Sequence, residues 1–463
     1  MKKRTCLFLL AFCLLLTACG PAAQPETDAD PAPEVSTPEG TLSEPSSVPE
    51  DPAEPELSQR EKGWLEDIEF LREKYKEKHA DPFYFCPEEE FDWKLDRLSA
   101  QVGALSDSDI FFELSAIVAG MGDDHSLLQW DDPFDRVFPV RAGLIDGRLY
   151  LTGYLEGYEQ FAPYLLHEIV AVNGVDALYL RQKSASLLVP FTWGSREIFY
   201  FYPAFFDWAG CDYKEGYVFQ ILNDKQEVES VEVPVIGADE CPEGIWVRHR
   251  NWESLLYLKK ADCTEYYEGK DGGCIQWCIA DMEHPSTVRR YLHEAHKLME
   301  EHPDCGKLAI DLRGCPGGLA DSLEEFQKGA DLLEGKRIYV LTSGYTASAA
   351  TRIIAYCKDA FGAVSVGEPA GQFSSFFSRS EDVCHHPAVF PHSQIKAYIS
   401  DLWRDSAVLL PEMGISPVYE EYYNGDGRLY EWETCIQPDV FVHMDIEDLR
   451  QGKDSVLEWV LAQ

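Results

Sequence analysis

From Cys274 to Val366 the chain alternates short apolar runs with helical segments, and this rhythm limits its fold more than any other feature. The runs at Leu308 to Leu312, Ile338 to Thr342 and Ala363 to Val366 are apolar and β-branched enough to be buried strands. Between and around them, Thr287 to Glu301, Ala320 to Leu333 and Ala347 to Ala360 carry helical patterns. Strands alternating with helices imply an α/β layer whose strands are largely parallel. Upstream, Trp64, Ile68, Leu71 and Tyr75 fall on one face of a helix from Gln59 to His79. Pro87 to Val102 and Ser106 to Met121 read as two further helices, which makes a small helical module. From Phe138 to about Gly237 the chain changes to short strands and turns. Val140 to Tyr154 alternates around Asp146-Gly147, a hairpin signal, and Leu166 to Val175 is a strand closing on an Asn173-Gly174 turn.

The N-terminus reads as an address. Lys2-Lys3-Arg4 precede an apolar run from Leu7 to Leu16, too short for a lasting transmembrane span, and then Leu16-Thr17-Ala18-Cys19-Gly20. Small residues before a cysteine look like a bacterial lipobox, so cleavage before Cys19 and lipid attachment to its thiol are expected. Gly20 to Ser58 carries ten acidic residues, nine prolines and no lysine or arginine. Such a stretch cannot bury a core and reads as an extended, self-repelling tether. The expected product is a lipid-anchored protein on the extracytoplasmic face of the cell membrane. The expected divisions are 1–19 signal, 20–58 tether, 59–128 helical module, 129–250 strand-rich region and 251–463 α/β domain.

Composition removes some functions. With 40 basic and 81 acidic residues the net charge is -41, which argues against a nucleic-acid partner because phosphate binding needs a basic footprint. Of fourteen cysteines, Cys6, Cys13 and Cys19 belong to the signal, and the remainder are scattered and odd in number. Cys274 and Cys278 sit on one face of a strand with no second pair at ligand spacing, so they read as core and not as zinc ligands. His385, His386 and His392 lie in a proline-containing loop and read as surface histidines. No metal and no cofactor is expected.

Three stretches carry chemistry. Ser348 sits at a strand-to-helix turn in Tyr345-Thr346-Ala347-Ser348-Ala349-Ala350-Thr351, where free N–H groups and the helix dipole favour a developing oxyanion. Leu308 to Gly318 is a strand running into a glycine-rich turn, Arg313-Gly314-Cys315-Pro316-Gly317-Gly318, that lacks the lysine and spacing of a phosphate loop. Gly122-Asp123-Asp124-His125-Ser126 offers a histidine able to take a proton from a serine.

With these stretches the chain, from about Trp64 onward, resembles the carboxyl-terminal processing protease and tricorn-core family of serine peptidases. The resembling segments are Gly122 to Ser126, Ile310 to Gly318, Thr346 to Ala350, Val366-Gly367-Glu368-Pro369-Ala370-Gly371 and Gln437-Pro438-Asp439-Val440-Phe441-Val442, in the family's order. The resemblance implies a ClpP/crotonase-like catalytic domain, with Ser348 as nucleophile, His125 as general base, and Gly317 and Ala349 N–H groups as oxyanion hole. One branch of the family uses a lysine where this chain reads Gly371-Gln372-Phe373-Ser374, so the histidine-dependent branch is the better match. Members of that branch position the base with a late glutamate, which makes Glu433 the first candidate, with Glu431 and Glu368 behind it. Ile169-Val170-Ala171-Val172-Asn173-Gly174 resembles the end of the family's PDZ-like domain, although the carboxylate-binding loop of such domains is not visible. Cys315 stands where the family generally has asparagine.

The resemblance implies a serine-type peptidase acting on peptides or proteins. Two other classes stay open on the residues: a catalytically inactive peptide-binding lipoprotein of the same fold, and a crotonase-like acyl-CoA enzyme, which an exported chain would rarely supply with substrate.

Overall fold

A computed structural model describes residues 57–123, 125–131, 134–187, 199–211, 216–241, 246–251, 263–280, 282–329, 333–372, 375–404 and 436–463. The expected signal and tether, Cys19, Asp124, Glu431 and Glu433 lie outside the described residues.

The chain enters its fold through three helices, Gln59–Lys78, Glu88–Ser99 and Asp107–Ala119. The first is opened by a capping box, in which Ser58 Oγ accepts the Glu61 N–H at 3.2 Å while the Glu61 carboxylate accepts the Ser58 N–H at 2.6 Å. Ser106 and Asp109 repeat the device on the third helix. Trp64, Ile68, Leu71 and Tyr75 are all buried, as their spacing requires. The first helix stops one residue before the sequence suggests, because His79 leaves it for an extended conformation (φ -67°, ψ 138°).

The strand-rich region is an antiparallel sheet. Its strands run in the order Trp246–Arg248, Arg148–Leu155, Glu168–Val172, Tyr217–Leu222 and Val228–Val233. Val140–Ile145 pairs with Arg148–Leu155 through Asp146-Gly147, both at positive φ (48° and 68°), which suits a two-residue hairpin turn. Asn173 and Gly174 also take positive φ, and Asn173 Oδ1 accepts the Val218 N–H at 2.7 Å. One continuous core joins this sheet to the three helices and to Phe390, Ile395, Ala397 and Ile399.

The third layer is the α/β unit that the alternating pattern implied. Its sheet runs Cys263–Tyr267, Cys274–Cys278, Lys307–Asp311, Arg337–Thr342, Val364–Gly367, Val440–Phe441. Its first pair is antiparallel and the other four are parallel. Successive strand residues point to opposite faces. Ile275, Trp277, Leu308, Ile310, Ile338 and Val340 meet the helices Pro285–Glu301, Ala320–Lys328 and Ala349–Phe361 in one core. Cys274, Ala309, Tyr339 and Leu341 face the other way, onto Val456, Leu457 and Val460 of the helix Ser455–Ala462. Cys274 and Cys278 are both buried in the sheet. His385 and His386 are exposed, and His392 lies edge-on to Trp64 at 6.0 Å. Among the described residues, no helix is long and apolar enough to cross a membrane.

Candidate active site

The buried strand Arg337–Thr342 delivers the chain to Ser348 through a short polar turn. Ser343 N–H donates to Thr346 Oγ1 at 3.0 Å, and Thr346 Oγ1 donates to Leu312 O at 2.9 Å. Ser343 Oγ donates to Arg313 O at 2.7 Å. These bonds stitch the serine turn to the glycine turn on the neighbouring strand. Ser348 itself adopts φ 50° and ψ -127°, immediately before the helix Ala349–Phe361. An L-residue in that region carries strain on the order of 1–3 kcal/mol and persists only where its surroundings over-determine it. The surroundings do so here. Ser348 N–H donates to Oε1 of the fully buried Gln372, and Ser348 O accepts from Thr351 Oγ1 at 2.7 Å. The side chain is left half-buried at the mouth of the turn.

Gly317 and Gly318 explain why that mouth is open. Gly317 sits at φ 100°, and a Cβ there would lie 2.5 Å from Ser348 Cβ and 2.9 Å from Ala349 N. Gly318 sits at φ 149°, and a Cβ there would lie 2.0 Å from the Met282 carbonyl carbon. Only glycine fits either place. Gly317 O accepts the Met282 N–H at 2.8 Å, and Met282 O accepts the Leu319 N–H at 2.8 Å. The two backbone positions expected to form the oxyanion hole, Gly317 and Ala349, are therefore neighbours. Cys315 is fully buried in the core beneath the turn, where a thiol behaves as a small apolar group. Its carbonyl accepts the Ala347 N–H at 3.3 Å, so it takes part in joining the two turns.

Arg313 anchors the glycine turn from below. Its guanidinium is buried between Asp311, at 2.6 Å, and Asp454, also at 2.6 Å. Gln276 Nε2 donates to Asp311 at 2.7 Å. Burial opposes the charge on Arg313, but the two carboxylates outweigh it and raise its pKa well above the ordinary arginine value.

The histidine loop is built around Asp123, which is buried. Its carboxylate accepts the His125 N–H at 2.8 Å and the Ser126 N–H at 3.0 Å, and it meets His79 Nε2 at 3.1 Å. Burial would raise the pKa of Asp123, yet its bonds to His79, Ser126 and the His125 backbone win and hold it at about 2. The His125 ring stacks on Phe376, centroids 5.2 Å apart and planes 13° apart. The guanidinium of Arg352 lies 5.3 Å from the same Phe376 ring. Arg352 is one turn along the helix from Ser348, so a chain of contacts runs from His125 through Phe376 to the serine-bearing helix. Arg352 is nearly buried, and burial, with Arg404 nearby, lowers its pKa to about 10.

Of the acidic candidates, Glu433 and Glu431 fall outside the described residues. Glu368 is described, and burial pushes its carboxyl up to about 7, against a lowering influence of His443. His79, Arg352 and Phe376 were not found from the sequence, and Gln372 stood there only in the stretch that lacks a lysine. Each acts through a contact across the fold that its local sequence does not mark.

A strained serine at a helix start, packed on a glycine turn beside a largely parallel sheet, completes the α/β arrangement that the alternating pattern implied. Solved structures bear this out: mature CPAF complexed with lactacystin aligns with a TM-score of 0.54 at 12% identity, over 87% of this chain and 97% of that one. Mature CPAF alone aligns at 0.52 with 13% identity, over 87% and 96%, and a serine-to-alanine mutant of CPAF at 0.50 with 12% identity, over 87% and 96%. At such identities the likeness is one of fold. No protein-family model and no curated protein matches the sequence.

Proposed function

We propose that this chain is a serine peptidase that hydrolyses peptide bonds through an acyl-enzyme on Ser348. The observation that carries the reading is the backbone of Ser348, held at φ 50° against a glycine that no other residue can replace. Strain of this kind has a use where a hydroxyl must be presented beside backbone N–H groups. In the reaction, Ser348 Oγ attacks the scissile carbonyl and His125 accepts its proton. The oxyanion is held by backbone N–H groups of Ala349 and the Gly317 turn. The amine leaves with the proton from His125, and water then releases the acyl group by the same route. Glu433 is proposed to orient His125. The PDZ-like region serves in this reading as a scaffold for the histidine loop, since its sheet shares a core with the helices that carry that loop.

The chain is further proposed to work outside the cytoplasm, held to the membrane by lipid on Cys19, as the charged start, short apolar run and small residues before that cysteine suggest.

A fluorophosphonate probe tests the reaction. Wild-type protein is expected to be labelled and Ser348→Ala not, with peptide hydrolysis falling by roughly 10⁴-fold in the variant. Absence of labelling in well-folded wild-type protein would sink the peptidase reading in favour of an inactive peptide-binding lipoprotein.

A further inference from the structure

The loop that carries His125 has a second histidine beneath it. His79 lies at the end of the first helix, its side chain 2% exposed, with Nε2 3.1 Å from Asp123 Oδ2. Its other nitrogen, Nδ1, accepts the backbone N–H of Asp81 at 3.1 Å. With Nδ1 taken up as the acceptor of that N–H, Nε2 is the nitrogen placed to donate to Asp123. The ring is also held in place on both sides. Tyr75 stacks on it at 4.9 Å with planes 23° apart, and Phe377 packs at 4.7 Å.

These contacts reach both supports of His125. Asp123, the acceptor from His79, fixes the His125 and Ser126 backbone N–H groups. Phe377 is the strand neighbour of Phe376, on which the His125 ring stacks. The next residue, Ala80, continues the brace: its N–H donates to Ser400 O at 2.9 Å, and Ser400 N–H donates to Ser126 Oγ at 2.9 Å. A carboxylate buried as deeply as Asp123 keeps its place only when its oxygens are fully used, and His79 supplies a side-chain partner to one of them.

We infer that His79 is a positioning residue for His125: its Nε2, fixed by the bond that Nδ1 accepts from Asp81, locks Asp123, and Asp123 sets the loop that presents the base. The inference rests on the reading of Ser348 and His125 as the reacting pair, and its test has arms that do not depend on that reading.

Two variants serve, His79→Leu, which keeps bulk and removes both polar atoms, and His79→Gln, which returns an N–H donor. The first readout is amide hydrogen exchange at His125 and Ser126. Leucine is expected to speed exchange there by about tenfold, and glutamine to recover most of the protection. The second readout is the rate of fluorophosphonate labelling at Ser348, expected to fall by about 10 to 100-fold in His79→Leu and to be largely restored in His79→Gln. The third uses wild-type protein alone. Nitrogen-15 spectra of the histidines are expected to show His79 with its hydrogen on Nε2 and an accepting Nδ1. A charged ring or the opposite tautomer overturns the inference, even if neither variant folds. So does a folded leucine variant with unchanged exchange at the two amides. Lack of labelling in wild-type protein would count against the Ser348 reading only, with exchange and tautomer still deciding the role of His79.

Discussion

A single methyl group at Gly317 would stand 2.5 Å from Ser348 Cβ and 2.7 Å from Ala347 O, and would require an L-residue at φ 100°. Gly317→Ala is therefore expected to push the serine turn out of place and to close the space an oxyanion would fill. Labelling of Ser348 should fall by at least about 100-fold, a loss typical of misplacing a reacting group by an ångström. Circular dichroism checks that the variant is folded, and labelling within a few-fold of wild type would show that the turn yields without consequence. At this scale the sequence was informative where neighbours in the chain do the work. Ser348, Gly317 and His125 stand in local patterns whose residue types the chemistry itself demands. His79 was invisible, because its partner Asp123 is 44 residues away and a histidine closing a helix has many bland uses. Gln372 was seen only as the place where one branch of the family keeps a lysine, whereas its side chain in fact holds the Ser348 N–H.

Elements meet at Arg313. Asp454 accepts both ends of its guanidinium and at the same time caps the helix Ser455–Ala462, taking the Val456 and Leu457 N–H groups at 3.1 Å each. One carboxylate thus ties that helix to the strand that leads into the glycine turn. Asp454→Ala would strip a helix cap and leave half the partnership of a buried cation empty. The expected cost is about 3–5 kcal/mol, read as a drop in the midpoint of urea unfolding at unchanged slope. A loss below about 1 kcal/mol would mean that Asp311 suffices to hold the arginine. The existence and type of the elements were readable, since alternating patterns and serine caps act locally. Their ends were less so. The helix expected from Ala347 begins at Ala349 because Ser348 is held at positive φ, and the helix expected to reach Leu333 ends at Lys328. The first of these boundaries is set by the turn that holds Ser348, which no propensity records.

For the molecule as a whole, the proposed base and nucleophile stand on two separate cores. The histidine loop belongs with the core of the three helices and the antiparallel sheet, and Ser348 with that of the parallel sheet. The sequence showed two patterns of strand but not that the helices and the first sheet would share one interior. The far N-terminus is legible only as chemistry. Cys19→Ala is expected to abolish incorporation of labelled fatty acid and to release the protein from the membrane fraction, and lipid labelling that survives the change would exclude Cys19 as the anchor. The Arg313–Asp454 tie also bears on timing. Its two members are 141 residues apart. A ribosome must add that much chain after the arginine before its second carboxylate exists to meet it.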